Sequence, residues 1–231
     1  MPKSQEAMYE PFAGEFAGHA EDSAYNAHYD RPSVLEVLGD VRGLSVLDAG
    51  CGPGFYTREL LDRGAVVTAF DPSPAFVGQA RKRSGGRADI RRLDLELPMP
   101  ELDDSSFDRI VLALVIHHIT NRNVALSELH RVLKPGGRLV VSTIHPGADW
   151  ANHGGSYFDR ELVEETWQQD WQVRYWRQPL GDWCREFTDA GFLIEQLVEP
   201  RPAASMAHRY PDVQRRLDQA PGFIIFQLLK P

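Results

Sequence analysis

The run VLDAGCGPGF, from Val46 to Phe55, sets an acid, Asp48, just ahead of three closely spaced glycines, Gly50, Gly52 and Gly54. Glycine allows a tight turn and lets a ligand approach the backbone closely. The N-terminus of a following helix offers N–H donors to an anionic group. A second acid, Asp71, ends the next apolar run, where one carboxylate can accept hydrogen bonds from both hydroxyls of a ribose. Three histidines, His117, His118 and His145, follow two later apolar runs. Imidazole can take a proton near neutral pH, which matters if a reacting molecule must lose one.

The spacing is G-x-G-x-G, an imperfect match to the G-x-G-x-x-G of dinucleotide sites, and no G-K-[ST] follows, which excludes a nucleoside triphosphate loop. Asp48 would repel a pyrophosphate but attract an ammonium group. A ligand with adenosine, a ribose, an ammonium and a carboxylate suits all of these groups, and S-adenosylmethionine is such a ligand.

These residues need a frame that brings strand ends together. The apolar runs at 44–49, 65–70, 88–93, 107–115 and 138–144 read as strands, and 55–63, 73–84 and 121–133 as helices between them. Ser73 is suited to N-cap a helix with Pro74 at its first position, and Pro135-Gly136-Gly137 reads as a turn. Continuous apolar strands alternating with helices predict an α/β fold with a parallel sheet covered on both faces. Residues 145–180 interrupt the alternation with many aromatic residues and little periodicity. A helix over 183–190 and strands over 192–198 and 222–229 restore it. The first forty residues read as a helical arm, with Pro32 opening a helix through Leu38.

The chain of 231 residues is long enough for one domain with an appendage. A formal net charge of -8 argues against a nucleic-acid partner. No apolar run is long enough to cross a bilayer, no basic start leads into an apolar core, and two cysteines give no disulfide framework or metal pattern. Cytoplasmic localisation is therefore expected. A monomer and a homodimer are both compatible with the sequence.

The chain resembles a class I, S-adenosylmethionine-dependent methyltransferase of the small-molecule group related to the type 11 family. VLDAGCGPG is similar to its first motif, VVTAFDPS to the ribose-binding acid, and RRLDLELP to the adenine-side loop. FDRIVLALVIHHI and LHRVLKPGGRLVVS are similar to the later strand segments, so the resemblance spans about residues 30–145. It implies a single domain over 1–231 with a Rossmann-like, seven-stranded, mostly parallel sheet in the order 3-2-1-4-5-7-6, strand seven antiparallel. Residues 1–42 form the arm and 145–180 the acceptor lid.

By that resemblance, Asp48, Gly50, Cys51 and Gly52 lie near the methionine portion. Asp71 holds the ribose, Pro72 and Leu95 pack on adenine, Asp94 meets its amino group, and Leu114 and Val115 pass the methionine end. Tyr29, with Tyr9 and Tyr25, is placed over the cofactor. Methyl transfer is an in-line displacement, in which holding the nucleophile opposite the leaving sulfur supplies much of the rate. His117 and His145 are the candidate bases, and His118, Trp150, Tyr157 and Tyr175 the candidate acceptor contacts. His117 and His118 are expected on extended chain, pointing opposite ways. No acid lies between Leu114 and Thr120, so no metal is expected. Oxygen, nitrogen and carbon acceptors all remain open. So do a nicotinamide-dependent oxidoreductase of related fold and an inactive S-adenosylmethionine-binding protein.

Overall fold

The computed structural model describes residues 7–168 and 170–231. In chain order the strands are β1 (Ser45–Ala49), β2 (Val66–Phe70), β3 (Asp89–Arg91), β4 (Phe107–Ala113), β5 (Leu133–Ile144), β6 (Glu161–Trp167), β7 (Trp171–Arg177), β8 (Leu193–Val198) and β9 (Phe223–Leu229). The helices are α1 (Ala13–Glu21), α2 (Arg31–Leu38), α3 (Phe55–Asp62), α4 (Pro74–Ser84), α5 (Arg122–Val132), α6 (Pro146–His153), α7 (Leu180–Asp189), α8 (Met206–Arg209) and α9 (Pro211–Gln219).

Seven strands form one sheet in the order β3-β2-β1-β4-β5-β9-β8. The first five are parallel, and β9 runs antiparallel to both neighbours. Since β8 and β9 are the sixth and seventh strands of this sheet, the order is the expected one. Successive residues on a strand face opposite sides, and two cores result. Val46, Val111, Val140 and Ile225 pack with Val34 and Leu35 of α2, Leu60 of α3 and Val77 of α4. Leu47, Ile110, Leu112 and Val141 pack with Leu126 and Leu129 of α5 and Trp183 and Phe187 of α7.

Local chemistry sets the boundaries. Ser73 caps α4 by accepting from Phe76 N–H, with Pro74 in the first turn. Ala113 ends β4, and Leu114 follows at φ 55, a left-handed conformation that turns the chain out of the sheet. The expected extended segment is consequently a short 3₁₀ turn over Ile116–His118. The rings of His117 and His118 lie 4.2 Å apart instead of pointing opposite ways. The expected Pro135–Gly137 turn is drawn into β5, because Gly136 N–H donates to Lys230 O and Lys230 N–H to Gly137 O. Residues 145–180 contain α6 and a hairpin, β6 paired antiparallel with β7, which forms a separate two-stranded sheet. Trp171, Val173 and Tyr175 of β7 are buried, while Gln172 and Arg174 between them are exposed.

Candidate active site

A cavity of about 1720 Å³ opens at the carboxyl ends of β1, β2, β4 and β5, and the arm and the 145–180 segment wall its far side. Gly50 and Cys51 donate their N–H groups to Phe70 O, which folds the chain back sharply after β1. Gly50 sits at φ +72, and a Cβ there would lie 2.7 Å from Val115 Cγ2. Gly54 sits at φ +87, and a Cβ there would lie 2.8 Å from Ala80 Cα, so α3 and α4 can pack only without that carbon. A Cβ on Gly52 would meet no protein atom, and this residue lines the cavity. Gly52 thus leaves open space where a side chain would intrude.

Asp71 stands on the same wall. Its carboxylate accepts from Gly52 N–H and Ser73 N–H, each at 2.9 Å, which fixes its orientation. Burial pushes its pKa up to about 6 despite those two donors. Pro72, Asp94, Leu95, Leu114 and Val115 continue the wall, with Gly50, Cys51 and Gly52 beside them. Burial pushes the Cys51 thiol up, which leaves it a poor nucleophile.

Three expected residues stand outside the wall of this cavity. Asp48 is 2% exposed and accepts a 2.6 Å hydrogen bond from Thr57 Oγ1, fastening β1 to α3. Its pleat position explains this, because Val46, on the same face of β1, packs with Leu60 of α3. Burial raises its pKa to about 7. Tyr29 is fully buried against Phe223 and accepts Gly222 N–H through its hydroxyl. Tyr157 accepts Leu180 N–H and borders a small separate hollow.

In their place the arm presents Asp30 and Arg31 to the cavity. Asp30 Oδ2 accepts from the Tyr56 hydroxyl at 2.6 Å, in the first turn of α3, while the buried Oδ1 has no partner. Arg31 sits over the Phe55 ring at 4.5 Å and donates to Ala20 O, while its buried Nε has no partner. Burial lifts the Asp30 pKa to about 6. The adjacent acid and base just ahead of Pro32 were a usable sequence signal for this pair, but composition alone gave no reason to fold the arm back onto the glycines.

The three histidines differ in what they leave free. His145 caps α6 by accepting Gly147 N–H at Nδ1, and its Nε2 meets Glu199 at 3.0 Å. His118 places Nδ1 at 2.8 Å from Arg174 O and Nε2 at 3.1 Å from the Tyr9 hydroxyl. His117 pairs Nδ1 with Thr143 Oγ1 at 3.0 Å, and its Nε2 has no hydrogen-bond partner among the described residues. Burial drives the His117 pKa well below its ordinary value, so its ring is neutral at pH 7. Trp150 and Tyr175 reach the cavity from the 145–180 segment, as do Asp149, His153, Glu165 and Trp167, which sequence reasoning missed. Arm and hairpin also meet directly: Phe12 stacks on Trp171 with centroids 5.4 Å apart, and Trp171 Nε1 donates to Glu15. Among the described residues, no group of three or more His, Cys, Asp or Glu side chains could hold a metal ion. No helix there is long and apolar enough to cross a membrane.

Residues 47–141 match the family model described as a methyltransferase domain. The chain is similar to the demethylmenaquinone methyltransferase of Tropheryma whipplei, 40% identical over 177 residues, covering 74% of this chain and 72% of that one. It is also similar to the malonyl-[acyl-carrier protein] O-methyltransferase of Pseudescherichia vulneris, 32% identical over 182 residues and covering 70% of each. Among solved structures, an S-adenosylmethionine-dependent methyltransferase from Mesorhizobium loti superimposes with a TM-score of 0.68 at 24% identity, covering 91% of this chain and 99% of that one.

Proposed function

The chain belongs to the S-adenosylmethionine-dependent methyltransferases, and from that premise we propose that its cavity joins the methyl donor to a small-molecule acceptor. The carrying observation is size and continuity. One space of about 1720 Å³ runs from the glycine turn to the aromatic segment, beyond the 300–1,000 Å³ usual for one small ligand. Donor and acceptor can lie in it side by side.

The residues fit the donor group by group. Asp71 is oriented to accept from the ribose hydroxyls, with Gly52 leaving room beside it. Pro72 and Leu95, on the same wall, would pack on the adenine, and Asp94 would meet its amino group. Asp30 and Arg31 take the ammonium and carboxylate of the amino-acid end. Their orphaned Oδ1 and Nε support this, since a buried polar atom without a partner costs about 1–3 kcal/mol that an opposite charge relieves. Asp48 holds α3 in place beneath the turn. When bound, the donor supplies an electrophilic methyl group on a positively charged sulfur.

The protein's own part is to orient the acceptor, exclude water and manage one proton. His117, neutral and with Nε2 free, is the histidine suited to accept a hydrogen bond from the acceptor. His145 caps a helix and His118 holds the Tyr9 hydroxyl. The arm and the 145–180 segment form the lid. The transfer is read as metal-free, because no carboxylate stands between Leu114 and Thr120. Two free cysteines suit a reducing cytoplasm. The two named relatives, a demethylmenaquinone methyltransferase and a malonyl-[acyl-carrier protein] O-methyltransferase, support a small-molecule or carrier-borne acceptor.

Calorimetric titration with S-adenosylhomocysteine tests the donor assignment. Asp71→Ala is expected to weaken binding by about 30-fold, the loss of about 2 kcal/mol from two hydrogen bonds to a charged acceptor. Unchanged affinity would remove Asp71 from the ribose.

A further inference from the structure

The acceptor side of the cavity carries a polar cluster outside every motif. Asp149 and His153 come from α6, Glu165 from β6 and Tyr175 from β7, and Trp150 and Trp167 line the cavity with them. An ionised Glu165 only accepts, and it already accepts Trp167 Nε1–H at 2.7 Å. Its other oxygen lies 3.1 Å from His153 Nε2. The same nitrogen pairs with Tyr175 Oη at 2.9 Å.

Asp149 is 5% exposed and lines the cavity, and its carboxylate has no hydrogen-bond partner among the described residues. The charged groups around it come from each packed element. Glu165 adds a second negative charge from β6, and Arg177 approaches from β7. Arg177 is engaged with Glu161 and Gly154 O, and it lies outside the cavity wall. Arg174, on the opposite pleat face of β7 from Tyr175, is exposed and lines the cavity, as do Arg31 of the arm and Arg216 of α9; no lysine lines it. His117, whose ring meets Tyr175 edge-on at 5.9 Å, is neutral. Two carboxylates with two flanking indoles favour a cation, because an ammonium gains both ion pairing and attraction to an aromatic face.

We infer that Asp149, Glu165, Trp150 and Trp167 form a cation-recognising subsite, and that the methyl acceptor is an amine docked as its ammonium against Asp149. The inference rests on the methyltransferase reading and names the substrate class. Before methyl transfer, one N–H proton must pass from the docked ammonium to the Asp149 carboxylate, which becomes the neutral acid. The amine becomes neutral and its nitrogen keeps the freed lone pair. An acceptor carrying a carboxylate would meet two like charges in the same place.

The test uses three probes of matched shape, phenethylamine, 2-phenylethanol and 3-phenylpropanoate, titrated into the full chain with tryptophan fluorescence as the readout. S-Adenosylhomocysteine uptake is measured first by calorimetry. Its absence counts against the donor reading, and the amine preference is then decided on the unloaded protein. The amine is expected to bind at least about tenfold more tightly than the alcohol or the carboxylate, a difference of about 1.4 kcal/mol. Asp149→Asn is expected to abolish that preference without changing S-adenosylhomocysteine affinity. Glu165→Gln, a second variant should the first fail to fold, is expected to reduce it. Equal affinity, tighter carboxylate binding, no uptake of any probe, or a preference untouched by both substitutions would overturn the inference.

Discussion

The glycine edge of the sheet and the lid across from it build two walls of one cavity by opposite means. At the glycine edge the backbone does the work. Gly50, Gly52 and Gly54 all have positive φ, Asp71 is tied by two main-chain N–H groups, and the last two residues of β1 and of β2 behind them are buried. In the lid the side chains do the work. Trp171 reaches Phe12 and Glu15 of the arm, Tyr175 pairs with His153 of α6, and the hairpin shares no ladder with the main sheet. A wall made of backbone constrains which residue type is tolerated at each position. A wall made of side chains can change its chemistry without changing its fold. The first suits a donor that stays the same, the second an acceptor that differs between relatives.

A pair of glycine substitutions breaks this comparison most strongly. Gly54→Val places Cβ into the backbone of α4 at a left-handed position, and a loss of about 4 kcal/mol, or a fall in Tm of roughly 10 °C, is expected. Gly154, at the end of α6, also has positive φ, but a Cβ there would meet nothing. Gly154→Ala is therefore expected to cost about 1–3 kcal/mol, from backbone strain alone. Similar losses at the two sites, measured by urea unfolding, would show that the edge is no more tightly packed than the lid.

A smaller effect concerns the acid beneath the turn. Burial lifts Asp48 from 3.8 to about 7, so between those values the folded chain holds a proton that the unfolded chain has released. Stability from this group is full at about pH 4 and below, and is lost as pH rises through about 7. Asp48→Asn carries no charge at any pH. The Tm of the parent chain relative to the variant is expected to fall between pH 5 and pH 8. A difference that stays flat over that range, in scanning calorimetry, would place the Asp48 pKa near its ordinary value.

The same contrast explains what the sequence revealed. VVTAF and FDRIVLALV are continuous apolar runs, and only a strand covered on both faces needs them, so the parallel sheet was readable, while its order came from the family resemblance. Ser73 and Pro74 announced the start of α4 by local chemistry. The direction of Asp48 was also present in principle, because it shares a pleat face with Val46, but proximity to glycines suggested a ligand contact. Leucine has no preference for positive φ, so nothing foretold that Leu114 would turn the histidine pair into a 3₁₀ turn. In the lid, the alternation of Trp171, Val173 and Tyr175 was a period-two signal hidden by the adjacent Trp176. Asp149 and His153 meet Glu165 and Tyr175 only through tertiary contact, which spacing does not encode.

The central claim is that the sheet edge grips the donor's ribose and the arm completes the grip at the amino-acid end. A crystal structure of the chain with S-adenosylhomocysteine tests it directly. The ribose hydroxyls should lie within about 3 Å of Asp71, and the ammonium should meet Asp30 with the carboxylate at Arg31. An ammonium held by Asp48, or a ligand seated away from Asp71, would contradict it.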